Sequence, residues 1–143
     1  MSNFALKLQA NDIINSYLYL FVMAEMQFAR GRTEPVVPDI RLTKSRNGQE
    51  GTAILYFNKP EALCGNDVDA VTGLYMIDEE GEIITREVKA KFLDGQPAAL
   101  EAIYLIKSPA EWDRFIRFMD RYAAENGLGF NEAPKPPEEN TET

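Results

Sequence analysis

The stretch Ser108-Pro109-Ala110-Glu111-Trp112-Asp113-Arg114-Phe115-Ile116-Arg117-Phe118-Met119-Asp120-Arg121-Tyr122-Ala123-Ala124-Glu125-Asn126-Gly127 decides the fold. Three agreeing signals start a helix: serine as N-cap, proline at the first helical position, and glutamate three residues after the cap. Trp112, Phe115, Ile116, Met119, Tyr122 and Ala123 then recur on one face at helical spacing, with Phe118 at its flank. Asn126-Gly127 supplies a glycine stop. Aromatic residues at this spacing read as core rather than as a cofactor pocket. A helix with one apolar face has to cover something.

What it covers lies upstream. Val71-Thr72-Gly73-Leu74-Tyr75-Met76-Ile77 is strand-like and closes at the turn Asp78-Glu79-Glu80-Gly81. In the second run, Glu82 to Phe92, Ile84, Val88, Ala90 and Phe92 share one face with Arg86, and Thr85, Glu87, Lys89 and Lys91 share the other. A period of two marks a half-buried antiparallel strand. Asp94-Gly95 makes the next turn, Pro97 keeps a helix from starting early, and Ala98 to Ile106 is a third strand. The expectation is a three-stranded meander under the helix.

Nearer the N-terminus, Met26 to Arg30 reads as a short strand stopped by Gly31. Pro35 and Pro38 bracket Val36-Val37, which predicts an extended edge segment, because proline cannot donate to a ladder. Ile40 to Arg46 and Thr52 to Phe57 flank an Asn47-Gly48 turn, a strong hairpin signal. In the first arm Ile40 and Leu42 begin an apolar face that Lys44 and Arg46 end, so the tip should project beyond the core with both faces wet. Lys59 to Leu63 suggests one helical turn within a loop from Asn58 to Ala70. The fold class is therefore α+β: a hairpin plus a three-stranded antiparallel meander, covered by a C-terminal amphipathic helix.

Both ends differ from this centre. Tyr17 to Ala24 is an apolar run of eight, short of the roughly 20 residues that span a bilayer. Three readings fit residues 1–22: an extension upstream of a functional start at Met23, a membrane-surface segment, or an added strand or helix. The first is favoured. Residues 131–143 hold three prolines and four glutamates without a large apolar residue, a composition that predicts disorder. Residues 23–130 form the one expected domain.

Composition excludes several classes of chemistry. A net charge of −8 over 143 residues argues against general nucleic-acid binding. The chain contains no histidine. That removes the usual general base, the usual metal ligand and every Ser-His or Cys-His arrangement. Cys64 is the single cysteine; it has no internal disulfide partner and reads as a free thiol. Asp78-Glu79-Glu80 lacks the alternating ligands of a calcium loop and reads as an acidic turn. No phosphate-cradling glycine loop is present. An enzyme is not expected, and no catalytic, metal or cofactor residue is assigned.

Positive charge placed against the overall sign is the remaining signal. Arg114, Arg117 and Arg121 lie within roughly 60° of one another around the helix, opposite Trp112. Arg41, Thr43, Lys44 and Arg46 lie on the projecting hairpin. Two readings of the helix arginines stand: a solvated face laced with Glu111, Asp113, Asp120 and Glu125, or a stripe docking on an acidic protein surface. Arg41, Thr43, Lys44, Arg46, Arg114, Arg117 and Arg121 are the candidate partner-binding residues.

Four strings in order add a resemblance: Pro38-Asp39-Ile40-Arg41-Leu42-Thr43-Lys44-Ser45-Arg46-Asn47-Gly48, Gly73-Leu74-Tyr75-Met76-Ile77-Asp78-Glu79-Glu80-Gly81-Glu82-Ile83, Thr85-Arg86-Glu87-Val88-Lys89-Ala90-Lys91-Phe92, and Ser108-Pro109-Ala110-Glu111-Trp112-Asp113-Arg114-Phe115. Together they resemble the photosystem II reaction-centre thirteen-kilodalton protein family, small extrinsic assembly factors of cyanobacteria and plastids. The similarity runs from about Met23 to Phe130; residues 1–22 and the acidic tail depart from the family pattern. The resemblance implies an α+β fold and a non-enzymatic, transient role on the cytoplasmic (stromal) face of photosystem II assembly intermediates. Implied contacts are the C-terminal segment of the inner chlorophyll-binding antenna protein and the reaction-centre loop near the secondary quinone. It further implies peripheral residence at the thylakoid membrane through protein partners, with no cofactor and no nucleic acid. A stable structural subunit of photosystem II and a small ligand-binding protein linked to chlorophyll supply are the alternatives. A projecting hairpin or open sheet edge suits such docking, because it accepts an extended peptide as an added strand.

Core signals begin at Met26 and stop near Phe130. A chain of residues 23–130 should therefore give the circular dichroism of a folded α+β domain by itself; an unfolded spectrum beside a folded full-length chain would move the boundary.

Overall fold

The computed structural model describes residues 24–64 and 70–127. The N-terminal extension, the acidic tail and Asn66-Asp67-Val68-Asp69 lie outside them. In chain order the elements are β1 (Ala24–Ala29), β2 (Arg32–Thr33), β3 (Asp39–Lys44), β4 (Gly51–Asn58), a 3-10 turn (Glu61–Leu63), β5 (Leu74–Asp78), β6 (Gly81–Thr85), β7 (Val88–Leu93), β8 (Gln96–Ile106) and helix α1 (Pro109–Glu125). The strands form two sheets, β2-β1-β5-β6 and β3-β4-β8-β7. Every pairing is antiparallel.

The α+β class, the hairpin and the C-terminal helix are as the sequence predicts. The meander is not one sheet. Its second run breaks at Arg86-Glu87 into β6 and β7, which pair in different sheets. Inward residues are Ile83 and Thr85 before the break and Val88 and Ala90 after it. The inward parity slips by one residue there, so Ile84 is outward, and Phe92, past a second register shift at Lys91/Phe92, is exposed, contrary to the single alternating face expected. The slip has partners: Val88 N–H bonds to Arg86 O at 3.0 Å, Ile103 N–H to Glu87 O at 2.9 Å, and Thr85 Oγ1 donates to Ile103 O at 2.5 Å. A side-chain hydroxyl thus takes a ladder place where the backbone turns away.

Other differences are local. Pro97 lies in β8 rather than before a helix, beside a bulge that shifts the β7–β8 register at Lys91/Phe92. Proline is tolerated at such a site. The Pro35–Pro38 segment is a connection, not an edge strand, and it brings in buried Glu34. The Glu34 carboxylate accepts from the backbone N–H groups of Val36 (3.1 Å), Glu61 (2.7 Å) and Ala62 (2.9 Å). These bonds offset the cost of burying its oxygens and tie the start of the 3-10 turn to the β2–β3 connection.

Both sheets and the helix share one core. Met26 and Phe28 from β1, Leu55 and Phe57 from β4, Leu74 and Met76 from β5, and Leu100 and Ala102 from β8 meet Phe115, Phe118, Met119 and Tyr122 of α1. Phe28 meets Phe57 edge-on with ring centroids 4.7 Å apart, and Tyr104 lies 5.5 Å from Phe115. Burial pushes the Tyr122 hydroxyl up to about 12. Each large helix side chain contributes roughly 1.5–3 kcal/mol through burial. The buried face is rotated slightly from the expected one: Phe118 is fully buried, whereas Trp112 and Ile116 are half-buried at its margin.

The helix ends match the sequence signals. Glu111 N–H donates to Ser108 Oγ at 3.1 Å, and the Glu111 carboxylate accepts from Lys107 N–H at 2.9 Å. The back-bond reaches one residue earlier than a capping box requires, yet it satisfies a free donor in the same way. Asn126 caps the last turn, and Gly127 takes φ +69.

A charged clamp holds the helix against the β5–β6 turn. Asp78, its side chain fully enclosed, receives both Arg114 Nη groups at 2.7 and 2.9 Å and Arg121 Nη1 at 2.9 Å. Glu80 takes Arg117 through two bonds at 2.8 and 2.9 Å and Arg121 at 2.6 Å. Burial by itself would raise the Asp78 carboxyl; the Arg114 and Arg121 guanidiniums overcome that and hold it below the usual range. Arg117 and then Arg121 hold Glu80 down to about 2.

Two expectations follow from this packing. Phe115→Ala should cost about 3–5 kcal/mol in urea titration, and half-buried Trp112→Ala roughly half as much. For the clamp, both carboxylates bind more protons unfolded than folded as pH falls from about 4 toward 2. Their contribution is therefore complete above the ordinary carboxylate range and is lost on acidification through that window. Asp78→Asn, which leaves two guanidiniums facing a neutral amide, should cost about 3 kcal/mol at neutral pH and should flatten the acid limb of stability against pH.

Candidate docking surface

The candidate residues fall into two groups with different fates. Arg114, Arg117 and Arg121 are brought together, as their spacing predicts, but they face the Asp78–Glu80 turn. This corrects the reading of a face laced by its own helix's acids. The stripe is neither a solvated face laced by its own helix's acids nor a row of free guanidiniums, because the partners come from a turn about 40 residues earlier in the chain. Only Arg117 keeps half its side chain exposed. Asp78-Glu79-Glu80 is more than an acidic turn: its carboxylates are neutralised by arginine.

Arg41, Thr43, Lys44 and Arg46 stay exposed. β3 is the edge strand of its sheet. Its ladder with β4 is continuous from Asp39↔Tyr56 to Lys44↔Gly51. Beyond it, Ser45 N–H donates to Glu50 O at 2.8 Å. Alternation from that bond directs the backbone groups of Thr43 and Arg41 toward β4 and those of Ile40, Leu42 and Lys44 toward the open edge. Side chains divide the other way: Ile40 and Leu42 pack inward, and Arg41 and Thr43 lie on the outer face.

The connection Ser45–Glu50 is longer than a two-residue turn, and its own bonds order it. Asn47 Oδ1 accepts from Ser45 Oγ (2.6 Å) and Gln49 N–H (2.9 Å), while Gly48 takes φ +72. This is turn chemistry in which asparagine acts through its side chain and glycine supplies the left-handed residue.

Two neighbours were not anticipated. Leu105, 56% exposed, and Lys107 stand at the end of β8 beside Thr52 and Gly51. With Thr43 and Lys44 they line a shallow groove of about 440 Å³ beside the hairpin turn. In the sequence Leu105 is one more apolar residue of a strand; only the cross-strand register Thr43–Thr52–Leu105 places it on the outer face. Among the described residues no group of acids and cysteine is placed to hold a metal ion, and no helix is long and apolar enough to cross a membrane.

Comparison with known proteins agrees with this architecture in extent. The family model of the Psb28 protein matches residues 26–130. The photosystem II reaction center Psb28 protein of Synechococcus elongatus is 64% identical over 110 residues, covering 77% of this chain and 98% of that protein. The photosystem II assembly factor Psb28 protein of Thermosynechococcus vestitus is 60% identical over 111 residues, covering 78% and 95%. The Psb28 protein of Synechocystis sp. is 58% identical over 111 residues, covering 78% and 99%. With the matched range spanning every strand pairing but the first residues of β1, and the whole of α1, the chain belongs to the Psb28 family.

Proposed function

We propose that this chain is a non-enzymatic photosystem II assembly factor that binds transiently to the cytoplasmic face of assembly intermediates at the thylakoid membrane. The names of its relatives support association with photosystem II and, for one of them, a role in assembly. The partners proposed are the C-terminal segment of the inner antenna protein and the reaction-centre loop near the secondary quinone. The carrying observation is the open β3 edge, exposed and basic at Arg41 and Lys44 and continued by Arg46 in the following turn.

An extended segment added along β3 gains main-chain hydrogen bonds from Ile40, Leu42 and Lys44. The basic side chains speed encounter and set register more than they add affinity. A polar edge with a small apolar patch suits a partner that must later leave. The helix arginines take no part in this reading, because Asp78 and Glu80 already engage them.

Titration with a synthetic peptide of the antenna C-terminal segment tests the site. Amide shifts should move along 39–57 and the adjoining end of β8. Arg41→Glu, Lys44→Glu and Arg46→Glu together should slow association and flatten its salt dependence, whereas Lys89→Glu with Lys91→Glu on the opposite edge should not. Shifts confined to α1, with 39–57 still, would refute docking here.

A further inference from the structure

Lys44 is the last residue of β3, exposed at the point where the apolar side of the hairpin ends. A lysine there ordinarily samples many rotamers. In this chain its ammonium stands 4.6 Å from the ring centroid of Trp112, in the first turn of α1. That position is open because Gly51, the cross-strand neighbour of Lys44, carries no side chain. A Cβ at Gly51 would lie 2.5 Å from Trp112 Cζ3 and 2.9 Å from Cε3. The indole thus rests on bare backbone of β4 and presents a ring face to the ammonium. Trp112 sits at the margin of the core, partly buried, with one ring face against Gly51 and the other side reached by the Lys44 ammonium.

We propose that Trp112 is a positioning residue of the docking surface: the indole, seated on Gly51, holds the Lys44 ammonium at the groove so that a partner carboxylate meets a pre-placed cation. The proposal rests on the reading of the β3–β4 arm as the docking site and deepens it, by naming an acidic group on the partner at this end of the arm. The physical gain is a smaller loss of side-chain freedom on binding, since the rotamers of Lys44 are already restricted. The stack leaves the outer side of the ammonium and its donors open to an acceptor.

Proton spectra of the free protein and a double-mutant cycle on association with the antenna peptide test it. The Lys44 ε-methylene protons should resonate upfield, in the shielding zone of the indole, and Trp112→Leu should abolish that displacement. Trp112→Leu should weaken association about 2–5-fold, the scale of an exposed cation–π contact, while Trp112→Phe retains part of the effect. In a Lys44→Met background Trp112→Leu should change association no further. An absent upfield displacement overturns the stack itself and leaves the docking site standing. Equal losses in both backgrounds mean that Trp112 acts only through the core. If Lys44→Met alone leaves association unchanged, the proposal falls together with docking at this end of the arm.

Discussion

The passage of the chain from one sheet to the other at Thr85-Arg86-Glu87 is the constraint on which the remaining structure depends. A strand that kept its parity from Gly81 to Leu93 would present Ile83 and Val88 to opposite faces. The slip lets both point inward, one in each sheet. It is stabilised across the gap by Ile103, which donates to Glu87 O and accepts from Thr85 Oγ1. β8 therefore serves as the neighbour of both strands at the corner. Its far end, Leu105 to Lys107, lies beyond β7 at the groove beside the basic arm.

Arginine serves two purposes in this fold, and geometry separates them. On α1 the guanidiniums converge on carboxylates from one turn, and two of them share the enclosed Asp78. Planar bidentate donors suit that arrangement, since each satisfies two oxygens at fixed angles. The pairs orient the helix relative to β5 and β6, an angular restraint that non-directional apolar burial does not supply. On β3 the residue opposite Arg41 is Ile54, and Arg41 is exposed.

A basic edge strand has a second physical meaning. Charges along an open edge discourage pairing between copies of the same chain, because two such edges repel. The same charges attract an acidic extended segment. Beside the hairpin turn Trp112 meets both strands, Gly51 of β4 and the Lys44 ammonium of β3.

Local signals carried in single residues determined much of this protein from sequence alone. The Ser108-Pro109-Glu111 start, the Asn126-Gly127 stop and the Asn47-Gly48 and Asp94-Gly95 turns each depend on neighbours within a few positions, and each stands in the structure as the sequence predicts, whereas the hairpin end at Lys44, expected wet on both faces, is met on one by Trp112. The absence of histidine likewise closed off whole classes of chemistry before any fold was known. Contacts between distant segments belong to the tertiary structure only. The parity slip at Arg86-Glu87 needs Ile103 to receive it, the arginine stripe needs Asp78 and Glu80, and Leu105 joins the hairpin's face only through the β4–β8 register. A period of two cannot reveal a break whose bonds lie on another strand. Nor can charge spacing on a helix distinguish solvent from a carboxylate about 40 residues away, because the energy that decides between them arises only when the two segments meet.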